Sequence, residues 1–218
     1  MNRILPFLFI LSLTSAKAQT ELKALFASSI PTRMPANITV QSSSGAMAGL
    51  SHSLTLDNAK DWHIQADILF TYNRYIMDGM FSNSNGYEFS GTPSNFKQNE
   101  LNFYSFRLPV LLKYSLLRAD DSNNPLVTVG VGPYVEYVFA SNQKYKADNQ
   151  LHKNSIAIQN PVQYGLGFDM GIYGNKLSNR WGKLSLHTGI QYQISDYLKD
   201  AQSFKPIMGY VGLGFRLK

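Results

Sequence analysis

Ser185, His187 and Asp169 are the ingredients of a nucleophile, a base and an orienting acid, and His63 with Asp67 could form a base and the group that holds it. Ser185 and His187 are two residues apart, which on a strand puts both side chains on one face. Nothing around them marks the strained nucleophile turn or the oxyanion donors that acyl transfer needs. The histidines His52, His63, His152 and His187 have no metal-ligand spacing, and the chain has no cysteine. No metal and no cofactor are expected. Three further charged residues, Arg107, Lys113 and Glu136, fall inside apolar stretches and need an environment that accepts them.

That environment follows from the stretch YSFRLPVLLKYSL, Tyr104 to Leu116. Its even positions, from Tyr104 through Phe106, Leu108, Val110 and Leu112 to Tyr114 and Leu116, are wholly apolar, while Ser105, Arg107, Pro109, Lys113 and Ser115 share the other parity. Ten residues separate Tyr104 from Tyr114, which at about 3.3 Å per residue and a tilt near 40° is roughly 25 Å, the height of the apolar band of a transmembrane barrel. The same split recurs from Trp62 to Tyr72, Pro125 to Phe139, Val162 to Ile172, Leu184 to Ile194 and Ile207 to Leu217. Gly45 to Leu56 follows it except at His52, which falls on the apolar side. The first strand is Glu21 to Ile30, with Ile38 to Ser42 as the competing choice.

Glycines such as Gly130, Gly132, Gly165, Gly212 and Gly214 fall on the polar face. In an eight-stranded barrel the interior has room only for side chains, so the glycine-rich face is the lumen and the bulky face points to lipid. The predicted fold is all-β: an eight-stranded antiparallel outer-membrane barrel. Asp57–Asp61, Arg118–Asn124 and Asn175–Gly182 read as short periplasmic turns. Ile30–Ser44, Met77–Glu100, Ser141–Ile156 and Ser195–Lys205 read as long external loops. The second of these carries Tyr87, Phe89 and Phe96 among polar residues, a composition suited to a partner or to a cap.

The bulk properties fit export. Arg3, the apolar run Ile4–Leu13 and Ala16-Lys17-Ala18 read as a secretory signal over residues 1–18, leaving one barrel domain over residues 19–218. Mean hydropathy is −0.18, because polar lumen positions dilute the membrane signal. Removing Arg3 and Lys17 from the 20 basic residues leaves 18 against 14 acidic ones, a surplus of 4. These cations are scattered along the chain, which argues against nucleic acid as a partner.

The segment LNFYSFRLPVLLKYSL (Leu101 to Leu116), followed by VGVGPYVEYVF (Val129 to Phe139), resembles the PorT-like outer-membrane β-barrel family of Bacteroidetes. The likeness extends loosely through YGLGFDMGIYG and LSLHTGIQYQISDYL to the C-terminus. It implies an outer-membrane barrel with a link to type IX protein secretion. Near the end, Tyr210, Gly212, Phe215 and Leu217 resemble the signal by which the barrel assembly machinery recognises a last strand.

Charges in a narrow lumen must be paired. The expected ion pairs are Asp67 with Lys113 and Arg107 with Glu136, with Asp169, His187 and His63 as further lumen polar groups. Lumen packing accounts for the Ser185, His187 and Asp169 set without catalysis, and eight strands leave no room for a diffusion pore. The expected role is therefore a non-enzymatic envelope scaffold or interaction component. Its expected partners are outer-membrane lipid, the assembly machinery and secretion or envelope proteins met through the loops. The alternatives are an outer-leaflet lipid-modifying barrel enzyme and a soluble periplasmic ligand-binding barrel.

Overall fold

The computed structural model describes residues 18–33, 39–56, 61–78, 97–118, 125–147, 150–155, 160–174, 184–197 and 204–217. Residues 1–17, which hold all but the last residue of the expected signal, and the loop residues Tyr87, Phe89 and Phe96 lie outside the described residues. Among the described residues nine strands run in chain order: β1 Ala18–Arg33, β2 Thr39–Thr55, β3 Trp62–Asp78, β4 Lys97–Arg118, β5 Pro125–Ala147, β6 Gln150–Ser155, β7 Val162–Tyr173, β8 Leu184–Gln193 and β9 Lys205–Arg216. All pairings are antiparallel, and β1 bonds both β2 and β9 while β4 bonds both β3 and β5. The sheet therefore closes on itself through eight strands. Closure leaves no unpaired edge to face lipid. β6 is the ninth strand, a short partner to the outer end of β5 above the barrel wall.

Side chains alternate between wall and bore as the parity of the sequence requires. On β4, Arg107, Leu111 and Lys113 are buried while Phe106, Leu108, Val110 and Leu112 are exposed on the outer wall. The wall is bounded by aromatics: Trp62 packs on Tyr114 at 4.9 Å near the end that carries the chain termini, and Tyr72 on Tyr104 at 5.2 Å toward the distal end. Just beyond Tyr72, Arg74 pairs with Glu100, which marks where the apolar band stops. His52, the misfit on this wall, is hydrogen-bonded through Nδ1 to Thr20 Oγ1 at 3.2 Å.

The expected first strand is present, and two of the expected long loops are corrected. Both candidates for the first strand are strands: Glu21–Ile30 lies within β1, and residues 39–42 open β2. Most of Ile30–Ser44 is therefore not loop; Ser43 Oγ accepts from the Ser29 backbone N–H at 2.6 Å and continues the contact between the strands. Likewise Ser141–Ile156 is largely the β5–β6 hairpin. Above the apolar band both faces meet water, so a polar composition that reads as loop is compatible with strand. At Pro109 the β3–β4 ladder breaks between Ala66–Val110 and Leu69–Arg107 and resumes in the same register, so the missing amide leaves a gap and not an offset. The register shifts between β4 and β5 fall away from Pro109, at Lys97/Asn99 and Tyr104/Ser105 farther out and at Ser115/Leu117 and Leu117/Arg118 toward the other end.

Candidate functional site

The functional chemistry of the described residues is gathered in the bore. Among them, four cations, Lys23, Arg107, Lys113 and Arg216, face four anions, Glu21, Asp67, Glu136 and Asp169. With neutral imidazoles the bore carries no net charge. Such balance is what a low-dielectric space demands of ions it encloses.

Arg107 and Glu136 stand opposite each other on β4 and β5, and Arg107 Nη2 lies 2.6 Å from Glu136 Oε2. Both are enclosed, at 2% and 0% exposure. The guanidinium also donates to Gln191, lies 3.6 Å from Met208 Sδ and sits 4.8 Å above the Tyr134 ring. Glu136 accepts in addition from Ser105 Oγ.

Asp67 and Lys113 are not partners. Lys113 stands opposite His63, four residues along β3 from Asp67 (67 − 63), which puts the two charges at different heights. Asp67 takes Lys23 at 3.0 Å and accepts from Gln65 Nε2 at 2.9 Å, while Lys113 pairs with Asp169. Both pairs reach across an intervening strand. Lys113, Gly130 and Asp169 form one row through β4, β5 and β7, and a methyl added at Gly130 would overlap the Lys113 side chain. Lys23 faces Gly49 on β2, and Asp67 faces Ser51, so small residues open that path too.

The structure does bring Ser185, His187 and Asp169 together, but around a residue that parity on a poorly marked first strand had hidden. Glu21 accepts from Ser185 Oγ, and His187 Nε2 lies 3.2 Å from Glu21 Oε2 and 3.0 Å from Ser185 Oγ. Facing a carboxylate, Nε2 carries the proton, so it cannot draw one from the serine, whose own proton goes to Glu21. His187 Nδ1 is 3.6 Å from Asp169 Oδ1, too far for a hydrogen bond. The imidazole is 0% exposed. These residues form a structural network, extended by Tyr210, whose hydroxyl donates to Asp169 at 2.8 Å. His63 is held at the terminal end, with Nε2 3.0 Å from Ser115 Oγ and Nδ1 3.3 Å from Thr55 Oγ1. Among the described residues no three His, Asp or Glu side chains are grouped to hold a metal ion. His152 belongs to β6, and its side chain lies outside the described set.

Toward the distal rim the lining changes character. Tyr75, Met77, Leu101, Phe103 and Val138 close on Tyr197 and Phe204 from the β8–β9 connection, all of them buried. Phe103 stacks on Tyr197 at 4.7 Å, and Phe204 meets Tyr75 edge-on at 5.0 Å. The alternation of β3 and β4 places Tyr75, Leu101 and Phe103 inside, but no periodicity marks Tyr197 or Phe204, which lie off the strands.

A closed eight-stranded wall with a filled, charge-balanced lumen defines an outer-membrane barrel. Residues 15–197 match the family described as outer membrane protein beta-barrel domain, and the chain belongs to that family. The protein is thereby placed in the outer membrane, which rules out the soluble periplasmic alternative. No curated protein matches the chain. Solved structures similar to it include the outer membrane protein OprG from Pseudomonas aeruginosa, at 12% identity over 92% of this chain and 96% of that one, with a TM-score of 0.48. Neisserial surface protein A follows at 13% identity, 92% and 96% coverage and 0.43. Ail, the attachment invasion locus protein of Yersinia pestis, gives 11%, 92% and 97%, and 0.41.

Proposed function

We propose that this protein is a closed, non-enzymatic barrel of the PorT-like kind found in Bacteroidetes, serving as an envelope scaffold or interaction component at its distal rim. Protein secretion of type IX is the process we assign it to, on the resemblance carried by Leu101–Leu116 and Val129–Phe139. The observation that carries the reading is the sealed bore: the Arg107–Glu136 pair is enclosed in mid-lumen, and the aromatic layer of Phe103, Tyr197 and Phe204 lies above it. Such packing of the described residues fills the bore, so contact is left to the rim and the connections it carries. The last strand, with Tyr210 and Gly212 turned inward and Phe215 and Leu217 outward, is the segment we assign to the assembly machinery.

The deciding measurement is the extracellular protein profile of a deletion strain against its parent. Loss of secreted cargo, with that cargo retained in the periplasm, supports the assignment; an unchanged profile removes it. The enzymatic alternative is tested separately. Ser185→Ala and His187→Gln should leave the envelope lipid profile as in the parent, since these groups serve packing.

A further inference from the structure

The hairpin β5–β6 carries a charge arrangement that the barrel itself does not need. Lys144 on β5 stands directly opposite Lys153 on β6. Like charges facing each other across a ladder destabilise it. Lys144 follows Gln143, which is buried and bonded to Asn99 at 2.7 Å, so Lys144 and Lys153 share the face turned away from the bore. Glu100 is opposite Lys144 but is taken by Arg74. No carboxylate among the described residues pairs with Lys144 or Lys153.

The height of this face is set by the ladder. Tyr104, at the aromatic boundary, is opposite Ala140, and Glu100 is opposite Lys144, so the lysines lie four residues (144 − 140) beyond the boundary. That is roughly 10 Å at the usual rise and tilt, the depth of lipid headgroups above an apolar band. Leu151, two residues from Lys153 on the same face, is 73% exposed. An exposed apolar side chain beside cations is the composition of a surface lying against a membrane interface. The long connections put this end outside the cell.

We propose that the outward face of the β5–β6 hairpin, centred on Lys144 and Lys153, binds the phosphate groups of a phosphorylated lipid headgroup in the outer leaflet. This stands apart from the rim's role with proteins. The test titrates bis-phosphorylated lipid A into the full refolded chain in neutral detergent, with dephosphorylated lipid A and inorganic phosphate as comparisons. The double variant K144Q/K153Q should bind lipid A about thirtyfold more weakly, at about a fivefold loss per lysine near a charged membrane surface. K144R/K153R should bind as the parent does. Equal binding by the Gln variant and the parent overturns the proposal, as does equal binding of dephosphorylated lipid A. Displacement by equimolar inorganic phosphate also overturns it, since the site would then take free phosphate. Should the Gln variant fail to fold, as read by heat-dependent gel migration, the parent decides: its affinity must fall with rising salt, and a flat salt response overturns the assignment.

Discussion

The terminal half of the bore and its distal third solve the same problem by different means. Both must fill a space with room only for side chains. In the terminal half the filling is charge, with Lys23–Asp67, Lys113–Asp169 and the Glu21, Ser185 and His187 cluster linked over glycines and serines. In the distal third it is aromatic volume, with Phe103, Tyr197, Phe204 and Tyr75 packed ring on ring. A charge network holds only while each partner keeps its register. Aromatic packing depends mainly on total volume, so it tolerates exchange among shapes of similar size. The first region is accordingly intolerant of single changes, and the second is the more forgiving.

The largest effect should come from leaving one of the enclosed charges alone. Arg107→Ala strands Glu136 at 0% exposure and should destabilise the barrel by about 3–5 kcal/mol. Urea unfolding followed by heat-dependent gel migration would show it. The double replacement Arg107→Leu with Glu136→Leu should recover most of that loss, because no uncompensated charge remains. A double variant as unstable as the sum of the two singles would break the view that the pair is held by mutual need.

Next comes the aromatic layer. Phe103→Ala removes a fully buried ring and should cost about 3 kcal/mol, whereas Phe103→Leu should cost about 1 kcal/mol, since volume is mostly kept. Equal losses for the two would show that ring stacking, not volume, holds this region. Smaller still is the effect of Gly214→Ala. The added methyl meets the Glu21 carboxylate and the Ser185 hydroxyl, and overpacking of this kind costs about 2 kcal/mol. Gly209→Ala on the same strand is the control, because nothing lies near its missing side chain.

How much of this was legible in the sequence follows the same division. The strands, the lumen face and the outer wall were written in parity, because side-chain direction alternates strictly along a strand. Heights along the bore were harder. Placing Asp67 beside Lys113 assumed that neighbouring strands supply partners, whereas Gly130 lets Lys113 reach one strand farther to Asp169. Glu21 and Lys23 alternate correctly with Leu22 and Ala24, yet a first strand whose one aromatic is Phe26 and which ends in a run of small residues gave little reason to count them. Polar serines above the band read as loop because turn composition and water-exposed strand composition overlap. Tyr197 and Phe204 were beyond reach: they fold into the bore from a connection, where no period tells inside from outside.

A hydrogen bond joins the two regions. Tyr197, in the aromatic layer, donates from its hydroxyl to Glu136 Oε2 at 3.3 Å. Glu136 keeps Arg107 and Ser105 without it. Tyr197→Phe therefore removes a long bond to an otherwise satisfied carboxylate while preserving the ring that stacks on Phe103, and the cost should be about 1 kcal/mol or less. The informative step is to combine it with Phe103→Ala and compare the losses. If the layers are independent, the hydroxyl is worth the same whether or not Phe103 is present. If Phe103 positions the Tyr197 ring over Glu136, the hydroxyl's contribution disappears once Phe103 is gone, and the double variant is no less stable than Phe103→Ala alone. The face-to-face stack at 12° between the two rings favours the second outcome, since it fixes the plane in which the Tyr197 hydroxyl lies. Additive losses would separate the aromatic layer from the charge network and leave the bore as two plugs, each folding against its own neighbours.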